Sequence, residues 1–485
     1  MNFWILRRKV HSSWLVAITC LGIVIGTISA PALPAGIFSS SGWIVLAAIL
    51  AIIGFWRRRR YVVPIVCVAG VLIGLCRSDV ALQQLAPYEN LIGRQMTITG
   101  KVSEDVDIGS DDELIMRLHV MQVDGHSMTG VVWVSTSKYG EVRRGDIVHV
   151  RGKLTEGFGS FAGSMYRASV VNVQRPQPGD VALRVRDGFA DEVRTAIPEP
   201  QASLGLGYLV GQRRALPPDL SESLQIAGLT HVIVASGYNL TILVRIARRA
   251  FVKISKYLAA LSAGSMILGF IAVSGISPSM SRAGLVAGLG LLAWYYGRKF
   301  HPFVLLPFAA AVTLLVNPSY GWNDLGWQLS FAAFAGVMVV APLMQRYLFG
   351  DEKPKLLRQI LGETIAAQLA TLPILVLAFG QFSNVAILAN LLVLPLVPLA
   401  MLLTFVAGFG AIMLPVAATV VGAPATLLLQ YMTSVATNLA RVPWAQTTLE
   451  INTLVVVGYY AVLAGLCIYM WRKTGYSLRD SNLIE

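Results

Sequence analysis

Long apolar runs separated by short polar joints recur from one end of this 485-residue chain to the other. A backbone in hydrocarbon has no water to satisfy its N–H and C=O groups, so runs of this length must fold as membrane-spanning helices or be buried as a core. Charged residues are only 13% of the chain and hydrophobic ones 55%, whereas soluble domains carry roughly 25% charged residues. The expectation is a polytopic α-helical protein of the cytoplasmic membrane. Its net charge of +13 follows first from Lys and Arg collecting in cytoplasmic loops, with room for an anionic partner. Cys20, Cys67, Cys76 and Cys467 all fall in apolar segments without a CxxC pair, which argues against a disulfide or metal set. Arg7, Arg8 and Lys9 precede an apolar run long enough to span, read as an uncleaved first helix.

The pattern divides the chain into N-terminal transmembrane helices (1–80), an inserted strand-rich domain (87–175), an amphipathic helix (178–200) and a long transmembrane core (203–475). Three spans are expected near 13–30, 42–56 and 61–76. Nine more follow near 228–246, 256–275, 280–297, 302–316, 327–348, 361–379, 384–411, 415–440 and 452–471. Arg57–Arg60, the cluster from Arg245 to Lys256, and Arg472-Lys473 fall where the positive-inside rule needs cytoplasmic loops. About twelve spans, with both termini cytoplasmic and 87–175 extracytoplasmic, satisfy that rule throughout.

Between 87 and 175 the pattern changes to period two. Gln95–Glu104, Glu113–Val123, Ser127–Ser135, Asp146–Leu154 and Met165–Val173 read as strands, and Asp124-Gly125 as a hairpin turn. Five short strands in so few residues suggest a small Greek-key barrel of the OB type. Such barrels hold single-stranded nucleic acid with stacking aromatics and basic grooves. The candidates are Trp133, Tyr139, Phe158, Phe161 and Tyr166 for stacking, and Arg143, Arg144, Arg151 and Lys153 for phosphates. Nearby carboxylates balance these charges, so a purely structural barrel is the competing reading. After it, Val181, Val185, Phe189, Val193 and Ile197 recur every four residues among charges, an amphipathic helix at the membrane surface or against the barrel.

Polarity inside the apolar runs is concentrated in three places. Leu229–Leu243 (LTHVIVASGYNLTIL) carries His231, Ser236 and Asn239; Arg282 heads the next-but-one span; Asp324 and Gln328 bracket the start of another. Ionisable groups at membrane depth are costly and mark functional paths by default. Arg282 matches the oxygens of a phosphate, with snorkelling to the interface as the plain alternative and Asp324 as a possible counter-ion. Gln368, Asn384 and Asn390 add neutral donors. Ser236 is not in a G-x-S-x-G elbow, the six histidines form no ligand spacing, and no P-loop occurs. No catalytic residue, metal or cofactor is therefore expected. A secondary transporter of a small anion, a membrane scaffold and an intramembrane enzyme remain as alternatives, although no paired half-repeats of the transporter kind are visible.

At these residues the chain resembles the ComEC family of competence DNA-uptake channel proteins. GLTHVIVASGYNLTIL is similar to the family's segment ending in Ser-Gly, SPSMSRAGLVAGLGLLAWYYGR to its Arg-Ala segment, and LLVNPSYGWNDLGWQLSFAAFAGV to its Gln-Leu-Ser-Phe segment. The order of three spans, barrel and core is also the family's. Tyr238-Asn239 stands where the family more usually has a Leu-His or similar pair. Many members also carry a metallo-β-lactamase-like domain that has no counterpart after Lys473. The resemblance implies passage of single-stranded DNA across the cytoplasmic membrane during natural transformation, with no enzymatic step in this chain. It further implies a membrane-lipid setting, an extracytoplasmic DNA receptor, a separate nuclease and a cytoplasmic helicase-type ATPase as partners.

Overall fold

The computed structural model describes residues 9–109, 113–137, 142–212, 216–233, 237–275, 278–297, 301–350, 352 and 354–476. Arg7, Arg8, Tyr139 and Ser236 lie outside the described residues. The chain forms two compact units, Met1–Gly179 with Phe300–Gln328, and Asp180–Lys299 with Leu329–Glu485. Among the described residues, eight helices are long and apolar enough to cross a bilayer, so the chain is a multi-pass membrane protein. Of the expected spans outside those eight, 42–56 and 302–316 form the shorter apolar helices Ser41–Arg57 and Phe303–Val316. The stretch 280–297 is helical over Pro278–Tyr295. The stretch 228–246 is helical over Thr230–Ile233 and again over Gly237–Phe251.

In the first unit, helices Ser12–Ser29 and Val63–Glu89 cross at closest backbone approach. Gly22 and Gly26 of one face Gly70 and Gly74 of the other, a reciprocal pair of Gly-x-x-x-Gly spacings. A Cβ at any of the four would strike a backbone carbonyl of the facing helix. Small residues are what allow membrane helices this contact, where hydrophobic burial supplies no net drive. Polar ties finish the bundle. The Asp79 carboxylate accepts the Gly36 and Phe38 N–H groups at 2.7 and 2.8 Å. Arg77 donates to the Leu315 and Val316 carbonyls at 2.9 and 3.0 Å, satisfying acceptors that a helix end leaves open.

Helix Val63–Glu89 leads into the barrel, with Tyr88 buried against its core. The strands are β1 (Gln95–Val102), β2 (Leu114–Val123), β3 (Val131–Thr136), β4 (Ile147–Thr155) and β5 (Gly163–Gln174). β1 pairs β2, β2 pairs β3, β3 pairs β5, β5 pairs β4, and β4 returns to β1. Only the β3–β5 contact is parallel. The ring is closed, which removes the exposed strand edges that invite aggregation. Alternation puts Ile98, Met116, Leu118, Val132, Val150 and Met165 inside, each at 0% exposure; full burial of such a side chain contributes about 1.5–3 kcal/mol. Asp124 and Gly125 both take positive φ, 46° and 82°, the geometry of a type I′ hairpin. The third strand starts later than the sequence pattern suggests. His126–Ser127 pairs by itself with β2, and Gly130 at φ 146° interrupts the run before Val131.

In the second unit, the amphipathic helix Val181–Ala196 packs on helices Val397–Met413 and Ala418–Ala440. Gly408 makes room for Phe189 and Val193, Gly422 meets the Ala196 backbone, and Phe189 stacks on Phe405 at 6.2 Å. Val181 and Val185, from the same apolar series, stay exposed. Further along, a π-helical turn at Gly336–Val340 separates helices Leu325–Ala335 and Ala341–Phe349. Pro342 explains it: with no N–H to give and a ring against the carbonyl four residues back, it forces the preceding turn wide, and the Ala341 N–H reaches Gly336.

Candidate functional site

In the second unit, three sequence segments meet at Arg282. The side chain leaves the first turns of helix Pro278–Tyr295, and its guanidinium carbon lies 5.9 Å from the Phe331 ring centre and 5.5 Å from that of Phe334. These aromatics are three apart, so one helix face presents both. On another side is Gly237, the first residue of helix Gly237–Phe251. A Cβ there would lie 3.3 Å from the Ala283 Cβ and 3.4 Å from Arg282 Nη2. Arg282 Nε has no hydrogen-bond partner among the described residues. Ring faces attract a cation but do not satisfy its directed N–H groups, so the guanidinium keeps donor capacity for an oxyanion.

Asn239 is fully buried and donates from Nδ2 to the Tyr208 carbonyl at 3.1 Å, tying helix Gly237–Phe251 to helix Gln201–Val210. Its amide fixes the start of that helix against its neighbour. The Tyr238 hydroxyl donates to the Leu394 carbonyl at 3.4 Å. His231 lies on the short helix Thr230–Ile233. Gln368 reaches the Ser383 carbonyl at 3.5 Å, while Gln368 Oε1, Ser383 Oγ, Ser330 Oγ and Asn390 Oδ1 are buried without partners among the described residues. Asn384 is occupied by the Trp444 carbonyl and Thr447 hydroxyl, pinning the two-stranded ribbon Gln381–Ser383 and Gln446–Thr448.

Asp324 and Gln328 belong to the first unit. Asp324 caps helix Leu325–Ala335, accepting the Trp327 N–H at 2.7 Å and the Ser160 hydroxyl at 3.3 Å. Burial pushes its carboxyl above the usual range, against the pull of those hydrogen bonds and the more distant Arg117. Gln328 lies one turn on, half-buried. Ser160 sits in the loop between β4 and β5, so Asp324 fixes a loop of the barrel.

That loop carries the aromatic cluster. Trp133 on β3 is 5.0 Å from Tyr166 on β5 and 5.6 Å from Phe158, which is 5.1 Å from Phe161. Tyr166 and Phe158 are 56% and 46% exposed, large aromatic areas that a core would have hidden. Arg151 and Lys153 are exposed on β4, and Arg143 is exposed before it. Arg144 departs from the expectation of a surface phosphate contact: it is 6% exposed and part of the barrel's packing. Its neighbour Asp146 is buried and receives a two-point contact from Arg175, at 3.0 Å on each oxygen. No metal-ligand cluster occurs among the described residues.

Sequence reasoning singled out Arg282, and read Ser236-Gly237 as a point of helix break or close packing, but did not connect the two or find the rings around the arginine. Phe331 and Phe334 carry no polarity to attract notice; the i, i+3 aromatic pair was the available signal. Ser160, a serine in a glycine-rich loop, gave none.

Helices able to cross a bilayer, a closed five-stranded barrel with an open aromatic cluster, and an arginine held by aromatic rings within the helical unit define a polytopic membrane protein with a small β-barrel. A model of the Competence protein family matches residues 208–473, more than half of the chain, and the chain belongs to that family. It is similar to ComE operon protein 3 of Bacillus subtilis (strain 168), 26% identical over 230 residues, which are 47% of this chain and 28% of that protein. The chain therefore aligns with less than a third of that relative's length. No solved structure matches it.

Proposed function

We propose that this protein conducts single-stranded DNA across the cytoplasmic membrane during natural transformation. The observation carrying this reading is the convergence of Gly237, Arg282, Phe331 and Phe334, one or two residues from each segment that resembles the competence channels. A strand bears a charge at every phosphate, so its route must be hydrated and lined by donors. Arg282 supplies a fork for phosphate oxygens. The buried oxygens of Ser330, Gln368, Ser383 and Asn390, without partners among the described residues, are groups that water in such a route would satisfy.

The barrel is the receiving module. Its strand order is that of an OB fold, whose binding face lies on strands two and three with the loop between four and five. Trp133 on β3 and Phe158 and Phe161 on the β4–β5 loop stand on that face. Stacking there grips bases without sequence preference, while Arg143, Arg151 and Lys153 meet phosphates. In this reading the barrel is extracytoplasmic, twelve segments cross the membrane, and both termini are cytoplasmic. The protein is a conduit and not a catalyst: a DNA receptor outside, a separate nuclease and a cytoplasmic helicase-type ATPase supply capture, degradation of the strand left outside, and work.

The test is deletion of the gene, with surface-bound and internalised labelled DNA measured separately. Retained surface binding with internalised DNA lost is expected; normal internalisation contradicts the proposal.

A further inference from the structure

No acidic residue occurs between Glu222 and Asp324, yet Arg245, Arg248, Arg249, Lys253 and Lys256 crowd into one short stretch. Helix Gly237–Phe251 ends there and helix Lys256–Ser274 begins. Two of the cations, one from each helix, are brought to one ring. The Arg248 guanidinium carbon is 5.1 Å from the Trp294 ring centre and Lys256 Nζ is 5.7 Å from it, with Lys256 also 5.5 Å from the Tyr295 ring. An aromatic face offsets part of the repulsion between two such cations; an anion seated between them offsets far more.

The same corner exposes large apolar side chains. Phe251, Val252, Ile254 and Tyr257 are 40%, 44%, 71% and 63% exposed. A solvated loop has no use for that much apolar surface, and a protein core would not hold so many charges. Cations interleaved with exposed apolar groups match the boundary of a bilayer, where phosphates sit above acyl chains.

We propose that this corner binds the phosphate headgroup of an anionic phospholipid, held by Arg248 and Lys256 beside Trp294, with Phe251, Val252 and Ile254 in the acyl layer. A nucleic-acid strand would bring the same phosphate chemistry and could stack on Phe251 or Tyr257, but the Trp294 ring beside the two cations is already engaged by them, and the exposed aliphatic Val252 and Ile254 suit acyl chains and not bases. The site rests on the membrane setting of the fold and is independent of DNA transport.

The full-length protein in phosphatidylcholine nanodiscs, titrated with phosphatidylglycerol and read by native mass spectrometry, tests it. Each cation near an anionic lipid surface contributes on the order of five-fold in affinity. Arg248→Gln with Lys256→Gln is expected to need roughly 25-fold more phosphatidylglycerol for the same retention. Arg248→Lys with Lys256→Arg should retain the lipid as the wild type does. If the double glutamine variant does not fold, Lys256→Gln alone is expected to lose about five-fold. Equal retention by wild type and a folded glutamine variant overturns the proposal. So does a result in which that variant loses binding of a thymidine oligonucleotide while keeping the lipid, because the corner is then a nucleic-acid site.

Discussion

Gly237 borders the Arg282 guanidinium: a Cβ on the glycine would stand 3.4 Å from the arginine's Nη2. The Ser-Gly segment and the Arg-Ala segment are thus two sides of one small space, and the size of residue 237 limits where the guanidinium can lie.

Substitution at Gly237 tests that limit. Gly237→Ala needs only a few tenths of an ångström of adjustment and is expected to keep most DNA uptake. Gly237→Val adds two methyl groups toward Arg282 and Ala283, where overpacking costs typically 1–3 kcal/mol, and uptake is expected to fall by ten-fold or more with membrane protein level unchanged. Equal uptake in both variants would show that the contact is incidental.

The aromatic cluster of the barrel is expected to hold single strands by stacking. Trp133→Ala and Tyr166→Ala each remove a surface on which a base can lie, worth about 1–3 kcal/mol. Oligonucleotide affinity of the detergent-solubilised full chain should drop roughly five- to hundred-fold, with the thermal transition as a folding control. Wild-type affinity in both variants would leave the cluster a packing feature.

Asp324 is expected to show a pH signature. Its folded carboxyl is raised by burial, so its ionised form is disfavoured in the folded protein relative to the unfolded. That penalty is absent below the unfolded carboxylate range, grows as pH rises through the interval up to the folded value, and is complete above it. Asp324→Asn keeps an oxygen for the Trp327 N–H and is expected to melt no lower than wild type at neutral pH. Asp324→Ala loses the cap, about 1 kcal/mol. Melting curves across that pH interval distinguish the two; a neutral-pH loss in Asp324→Asn as large as in Asp324→Ala would show that the charge itself is needed.

The helix crossing in the first unit should be intolerant of side chains. Gly26→Leu or Gly70→Leu places atoms where a facing carbonyl lies, and reduced folded protein in the membrane is expected, while Gly269→Ala, on a helix with open space around it, serves as the control for glycine substitution in general. Normal levels of both leucine variants would mean that the two helices do not pack this closely.

The barrel was legible because period-two alternation and the Asp124-Gly125 turn are local signals; strand ends differ from expectation mainly where Gly130 delays β3. The long apolar helices were legible for the same reason. What could not be read was partnership across the chain. Nothing in the sequence pairs Gly22 and Gly26 with Gly70 and Gly74, sends Asn239 to Tyr208, or ties Ser160 to Asp324, since each contact is created by packing of distant segments. Arg282 stood out by its charge, whereas Phe331 and Phe334 looked like any other apolar residues of a membrane helix.

The most direct measurement is uptake of labelled DNA by cells carrying Arg282→Ala, with surface-bound and internalised label counted separately and protein level controlled. If the strand passes Arg282, internalised label is lost while surface binding and protein level stay at wild-type values, and Arg282→Lys restores only part of the uptake because it keeps the charge without the fork. Internalisation by Arg282→Ala at the wild-type rate would contradict a DNA path at this arginine.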